Sequence, residues 1–270
     1  MIHHKIGLVG VGNMGTAILE GVLRDQIVLP SRIWVYDKIP AKAASFARRT
    51  GVHKAGSLEA LFRNTDMIIL AMKPQDLVAC ATEGRRFLKP GHILISILAG
   101  TGTAGICKVF GRKVPVVRAM PNLGAKVGES MTVICGTDRK LLSRARTLFL
   151  GCGKVLCLPE ARFDLVTALS GSGPAYFFYL MELLEDFGVR HGLSREVAAV
   201  LAVQTGAGAL ALAKFSDVPP SVLRERVTSK KGTTEAALRV LKQKGFDVIF
   251  SQGVRAAMDR SRELRQRKIH

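Results

Sequence analysis

The chain has 270 residues, 48% of them hydrophobic, which is enough apolar material for about two ordinary domains. Its net charge is +19, with 23 basic against 9 acidic side chains over residues 1–159 and 17 against 12 over 160–270. No arginine-rich block is interleaved with aromatics, so the charge reads as a solvated face and a basic terminal cluster, Arg260–His270, and a nucleic-acid surface is not expected.

In chain order, "KIGLVG" reads as a strand and Asn13–Arg24 as a helix. "RIWVYD" reads as a second strand, with a helix near Ala41–Arg49. "DMIILAM", "HILISIL", "VPVVRAM", "MTVICG" and "KVLCL" read as further strands, with a helix at Arg139–Leu150 between the last two. Alternation of this kind predicts a doubly wound, mostly parallel α/β sheet over residues 1–159. After Pro159 the pattern changes to helices alone, at 161–170, 174–190, 195–214, 219–228, 233–244 and 247–266, giving an all-helical second domain over 160–270. The apolar run Val197–Ala213 is interrupted by Gln204 and Thr205 and is rich in Ala and Gly. It reads as a closely packed core helix that falls short of a membrane span, with its small side chains expected at a subunit contact.

The first loop, "GLVGVGNMG", gives Gly10-x-Gly12-x-x-Gly15 between a strand and a helix, and Asp37 follows Gly15 by 22 positions at the end of the second strand. This is the dinucleotide fingerprint in its proper context. Gly10 permits the turn, Gly12 admits the pyrophosphate, and Gly15 allows close helix–strand packing. Asp37 suits a ribose 2′-OH and repels a 2′-phosphate, whereas Lys38 attracts one, so the pair leaves NAD and NADP both open. "AMKPQ" (Ala71–Gln75), "SILAG" (Ser96–Gly100) and "AMPN" (Ala119–Asn122) stand at equivalent strand ends, where open sheets bind ligands. Lys73 and Pro74 are thereby placed beside the coenzyme. In the helical half, Gly232-Thr233-Thr234 opens a helix whose free N–H groups suit an anion.

Five cysteines (Cys80, Cys107, Cys135, Cys152, Cys157) form no CxxC pair and have no histidine at ligand spacing. They are expected to be buried reduced thiols of a cytoplasmic protein, with no metal site. No signal peptide is read, because Lys5–Gly15 already forms strand and turn.

"GVGNMG", "AMKPQ", "SILAG", "RAMPN", "ALSGSGPAYFF" and "TSKKGTTEAAL" occur in this order over the whole chain, which resembles the pyrroline-5-carboxylate reductase family. The most specific segments are "SGSGPAY" and "GTTEAAL". The resemblance implies a Rossmann-type domain followed by an all-helical dimerisation domain. It implies reduction of 1-pyrroline-5-carboxylate to L-proline with NADPH or NADH, and a homodimer that can assemble as a decamer of five dimers. It places Gly10, Val11, Gly12, Asn13, Met14, Gly15, Asp37, Lys38, Met72, Lys73, Pro74, Ala99 and Asn122 around the coenzyme. It places Glu160, Asp217, Ser229, Gly232, Thr233 and Thr234 around the substrate, with Thr234 the catalytic contact to the ring nitrogen. Where the family has Pro-Gly, this chain has Lys230-Lys231, which is costly if the second position needs a positive φ. Two other classes stand beside this reading. One is a related imine or hydroxyacid reductase with altered substrate; a β-hydroxyacid dehydrogenase of the 6-phosphogluconate type needs a lysine on the long helix, and Tyr176–Phe187 contains none. A non-catalytic nucleotide-binding protein needs no substrate turn.

Overall fold

The computed structural model describes residues 4–111 and 114–266, so the end of the basic cluster, residues 267–270, lies outside the described residues. Contacts divide the chain into two compact units, Met1–Ser172 with Ala257–His270, and Gly173–Ala256.

The first unit carries β1 (Ile6–Val9), α1 (Asn13–Arg24), β2 (Ile33–Tyr36), α2 (Pro40–Thr50), β3 (His53–Lys54), α3 (Leu58–Asn64), β4 (Met67–Leu70), α4 (Leu77–Gly84), β5 (Ile93–Ser96), α5 (Thr103–Phe110), β6 (Val116–Met120), β7 (Ser130–Cys135), α6 (Arg139–Leu150), β8 (Gly153–Cys157) and the short α7 (Phe163–Val166). One sheet runs β3-β2-β1-β4-β5-β6-β7-β8. Every pair is parallel except β6–β7, where Ala119 stands opposite Ile134. The expected doubly wound, mostly parallel sheet is therefore present. β1 and β4 carry no polar side chain because helices cover both faces of the sheet, and all four residues of each strand are buried. Two apolar layers result, one around Ile18, Leu19 and Phe149 and the other around Phe62, Leu70 and Phe110.

The order reverses between β1 and β4, since the chain first builds outward to β2 and β3 and then returns to add β4 on the other side. A crevice beyond the carboxyl ends of these two strands follows from that reversal.

The sequence pattern ends the first domain at 159, where the strands stop. The packing division falls later because Phe163 and Val166 are buried with Val133 and Cys135 of β7. Chain beyond Ala256 also returns to this unit. Ser261 donates to Asp164 at 2.9 Å and Arg265 pairs with the same carboxylate at 3.0 Å. After α7 the chain runs through a π-helical stretch, Thr167–Gly171.

The second unit holds α8 (Gly173–Arg190), α9 (Arg195–Phe215), α10 (Pro220–Arg226), α11 (Thr233–Gln243) and the start of α12 (Phe246–Gln266). Small residues bring α8 and α9 together: a Cβ on Gly188 would stand 2.9 Å from Ala198 Cβ, and one on Gly206 3.0 Å from Met181 Cε. The expectation that α9 is too short and too interrupted to span a bilayer is corrected. Its 21 residues suffice by length and composition, because an α-helix keeps Gln204 and Thr205 within one continuous rod. Only 11% of its most apolar window is buried.

All five cysteines are free. Cys80, Cys135 and Cys152 are buried as expected, and burial pushes their thiols up to about 12, 11 and 12. The expectation is corrected for Cys107, half-buried on α5, and Cys157, exposed at the end of β8.

Candidate coenzyme and substrate sites

The β1–α1 turn is built as its glycines dictate. Gly10 sits at φ +102°, and a Cβ there would lie 2.6 Å from Met72 N. Its own N–H donates to Tyr36 O at 2.8 Å, tying the turn to β2. A Cβ on Gly15 would come within 2.4 Å of Gly10 O, so α1 packs against the turn only with glycine there. Gly12 is different: a Cβ on it would meet nothing within 4 Å. It stands at the start of α1, where no side chain caps the helix. The open space above Gly12 and the uncapped N–H groups fit a pyrophosphate. The turn therefore fits the coenzyme its fingerprint implies.

Gly10, Gly12, Asp37, Lys38, Met72 and Lys73 share one pocket of about 360 Å³ at the reversal of strand order. Asp37 is fixed there by two backbone donors, Val11 N–H to Oδ2 and Ile39 N–H to Oδ1, both at 2.8 Å. Lys38 donates from Nζ to both oxygens of Asp76, at 2.8 and 2.9 Å. Asn13 is exposed at the start of α1, and Met14 packs on the core beneath it. Pro74 opens a 3₁₀ turn after Lys73. Ala99 is half-buried in the loop after β5, beside Gly100 at φ +65°. Asn122 is engaged by its own neighbourhood. Its Oδ1 accepts from Gly124 N–H and its Nδ2 donates to Ser170 O, both at 3.0 Å.

Glu160 lies in the first unit and is fully employed. Thr103 donates to it from backbone N–H at 2.8 Å and from its hydroxyl at 2.7 Å, which caps the start of α5. Arg118 Nη1 donates to the same carboxylate at 3.2 Å while its guanidinium covers the Phe163 ring at 4.5 Å. Burial pushes the Glu160 carboxyl upward, but the Thr103 hydrogen bonds and the Arg118 charge outweigh it, so its pKa falls below the usual value.

The other residues expected around the substrate lie in the second unit. Asp217 is exposed between α9 and α10. The turn before α11 closes with Gly232 N–H donating to Ser229 O at 3.0 Å. A Cβ on Gly232 would lie 2.3 Å from Ser229 Oγ, so the close approach requires glycine. No side chain caps α11, which leaves the N–H groups of Thr233 and Thr234 facing outward. Lys231 adopts φ +60°, so this position does need the left-handed region, and lysine occupies it where glycine would be unstrained. Its N–H donates to Glu235 Oε2 at 2.6 Å, which helps hold the strained residue.

Two partners went unseen in the sequence. Asp76 meets Lys38 across 38 positions, and Arg118 meets Glu160 across 42, distances over which no local pattern carries a signal. Among the described residues no group of three or more His, Cys, Asp or Glu could hold a metal ion.

Residues 160–264 match the family model for pyrroline-5-carboxylate reductase dimerisation, and residues 5–100 match that for coenzyme F420-dependent NADP oxidoreductase. The chain is 37% identical to a pyrroline-5-carboxylate reductase of Pseudomonas aeruginosa, covering 96% of each. Among solved structures it is similar to a pyrroline-5-carboxylate reductase of Coxiella burnetii, with TM-score 0.90, 32% identity, and 97% and 99% of the two chains covered. It is also similar to the Plasmodium falciparum pyrroline carboxylate reductase with NADP bound, with TM-score 0.88, 29% identity, and 98% and 99% covered.

Proposed function

The chain belongs to the pyrroline-5-carboxylate reductase family, and from that premise we infer that it is an NAD(P)H-dependent oxidoreductase reducing 1-pyrroline-5-carboxylate to L-proline, the last step of proline biosynthesis. The observation that carries this reading is the 37% identity to a reductase of that name over 96% of both chains. The glycine turn of the first unit and the anion-ready start of α11 in the second supply the two binding functions the reaction needs.

The substrate is a cyclic imine bearing a carboxylate. Its protonated form is already electrophilic, so the protein needs chiefly to hold two molecules in the right relation. When bound, the reduced nicotinamide supplies a hydride to the carbon of the C=N bond, and the nitrogen keeps its proton. The N-terminus of α1 and the space above Gly12 hold the pyrophosphate. Asp37 would read the adenosine ribose, Met72–Pro74 would border that site, and Ala99 would lie on the nicotinamide side. In the second unit, backbone N–H groups from Ser229 to Thr234 hold the substrate carboxylate, the Thr234 hydroxyl contacts the ring nitrogen, and Asp217 completes the site. Glu160, also proposed around the substrate, caps α5.

Residues 160–270 are proposed as the substrate-binding and dimerisation domain. The exposed apolar faces of α8 and α9 are covered by a second copy, giving a soluble, cytoplasmic homodimer that assembles further into five dimers.

The test is steady-state turnover of 1-pyrroline-5-carboxylate with NADH and with NADPH. Coenzyme oxidation that depends on the imine is expected. Tight coenzyme binding without any turnover of the imine would overturn the substrate assignment in favour of another reductase.

A further inference from the structure

The coenzyme pocket contains a charge arrangement that bears on which dinucleotide it takes, given that this pocket is the coenzyme site proposed for it. Asp37 stands at the end of β2, where dinucleotide folds read the adenosine ribose. Both its oxygens accept backbone N–H groups, from Val11 and Ile39, so the carboxylate is held in place. The cation beside it, Lys38, is turned to a different partner. Its Nζ donates to both oxygens of Asp76 at the start of α4. Lys38 is 65% exposed and Asp76 only 28%, so the carboxylate is the anchored member and the lysine the one drawn to it.

The remaining charges that line the pocket are Lys42, Lys73 and Glu83. Lys38, Lys42 and Lys73 thus face Asp37, Asp76 and Glu83, and the pocket is neutral overall. A 2′-phosphate brings close to two negative charges. It meets a fixed carboxylate at Asp37 and a lysine already hydrogen-bonded elsewhere. A 2′-hydroxyl instead finds in Asp37 an acceptor and meets no such repulsion.

We propose that Asp76 is a positioning residue for coenzyme choice: it holds Lys38 off the ribose-reading end of β2, leaves Asp37 unopposed, and so favours the dinucleotide without a 2′-phosphate. The Lys38–Asp76 pair acts through geometry and charge balance more than through stability, because an exposed ion pair contributes little to folding.

The test is calorimetric binding of two coenzyme fragments, AMP and adenosine 2′,5′-bisphosphate, to the full-length protein at low salt. The wild type is expected to bind AMP at least as tightly as the bisphosphate. Asp76→Asn keeps the shape of the side chain and removes its charge. It should tighten the bisphosphate roughly three- to tenfold while AMP changes less than about twofold, and the gain should fade with salt. In Asp76→Asn combined with Lys38→Met the gain should vanish, since it depends on the freed lysine. An equal change for both fragments, no change for either, or a gain that survives loss of Lys38 each overturns the role of Asp76. These results leave the coenzyme site standing. A wild-type protein that binds neither fragment, nor NADH, nor NADPH would remove the coenzyme site itself and this inference with it.

Discussion

The two units of this chain treat apolar residues in opposite ways. The sheet unit hides them: Ile6, Leu8, Ile18, Leu61, Met67 and Phe149 are each completely buried. In the helical unit the only buried hydrophobic side chains among the described residues are Ala198 and Ala202, while Phe178, Tyr179, Val200, Leu212 and Phe215 stand more than half exposed. A sheet covered on both faces completes its core within one chain. A set of helices with apolar residues all round does not, and such a surface is a contact surface by default. Stability in the first unit is therefore intramolecular, whereas the second leaves apolar faces that the proposed second copy would cover.

The contrast is sharpest on α9, and a charge placed there should produce the largest effect. Val200→Asp puts that charge on an apolar face that is 67% exposed in the single chain. Light scattering should find the assembly dissociated, and activity should fall with it. Val127→Asp, at a position 74% exposed in the sheet unit, should leave both unchanged. A dimer that tolerates Val200→Asp as well as Val127→Asp would erase the distinction. Next comes the glycine turn. Gly12→Val fills the open space over α1 and should abolish NADH binding by fluorescence titration, with no change of thermal unfolding, since nothing stands within 4 Å of the added Cβ. Coenzyme affinity that survives this substitution would place the nucleotide elsewhere.

A smaller effect is expected in the helical unit at Thr234→Ala. Loss of one hydrogen bond to the reacting ring should lower kcat by about one to two orders of magnitude, or about 1.4 to 3 kcal/mol, without changing the assembly. Wild-type kcat and KM would discard this site. The smallest change concerns Glu160, whose carboxyl is held below its ordinary value of 4.5. A depressed carboxylate contributes stability that is present above the ordinary value and lost as pH falls through the native one. Glu160→Gln keeps one accepting oxygen but removes the charge. It should flatten that acid-side loss, and any cost near neutral pH comes from Arg118, 2% exposed, which keeps its charge beside a neutral amide. Urea unfolding at pH 7 and pH 4 separates the outcomes; an unchanged acid slope would mean that Glu160 is not the titrating group.

Much of the fold was legible because it is written in local patterns. The helix read at Asn13–Arg24 and the one at Arg139–Leu150 match α1 and α6 end to end. The glycine spacing located the turn at the reversal of strand order, and Gly10 and Gly15 have the steric reasons expected of them. What was missed has a physical cause in each case. β3 is two residues long at the sheet edge, too short for any alternation. α3, α4 and α5 span only seven or eight residues, barely two turns, so their apolar stripes hold few repeats. The candidate site was legible where the turn demands glycine, by a positive φ at Gly10 and by the close approach of Ser229 at Gly232, and hidden where a side chain meets a distant partner. Asp76 carries no mark in its own neighbourhood, and nothing local to Arg118 points to Glu160 as its partner. The lysines at 230 and 231 were visible as a departure, but only the φ of +60° at Lys231 reveals that the departure is strained.

Asp164 is buried, and its two partners, Ser261 and Arg265, follow it by about a hundred positions. A ribosome releases the sheet, then the apolar helices of the second unit, and only then the segment that completes the first. Throughout that interval Asp164 lacks both of its partners, alongside helices whose apolar faces are still uncovered. Vectorial synthesis therefore cannot finish the first unit before the second has emerged, and α12 is the clasp that closes the first.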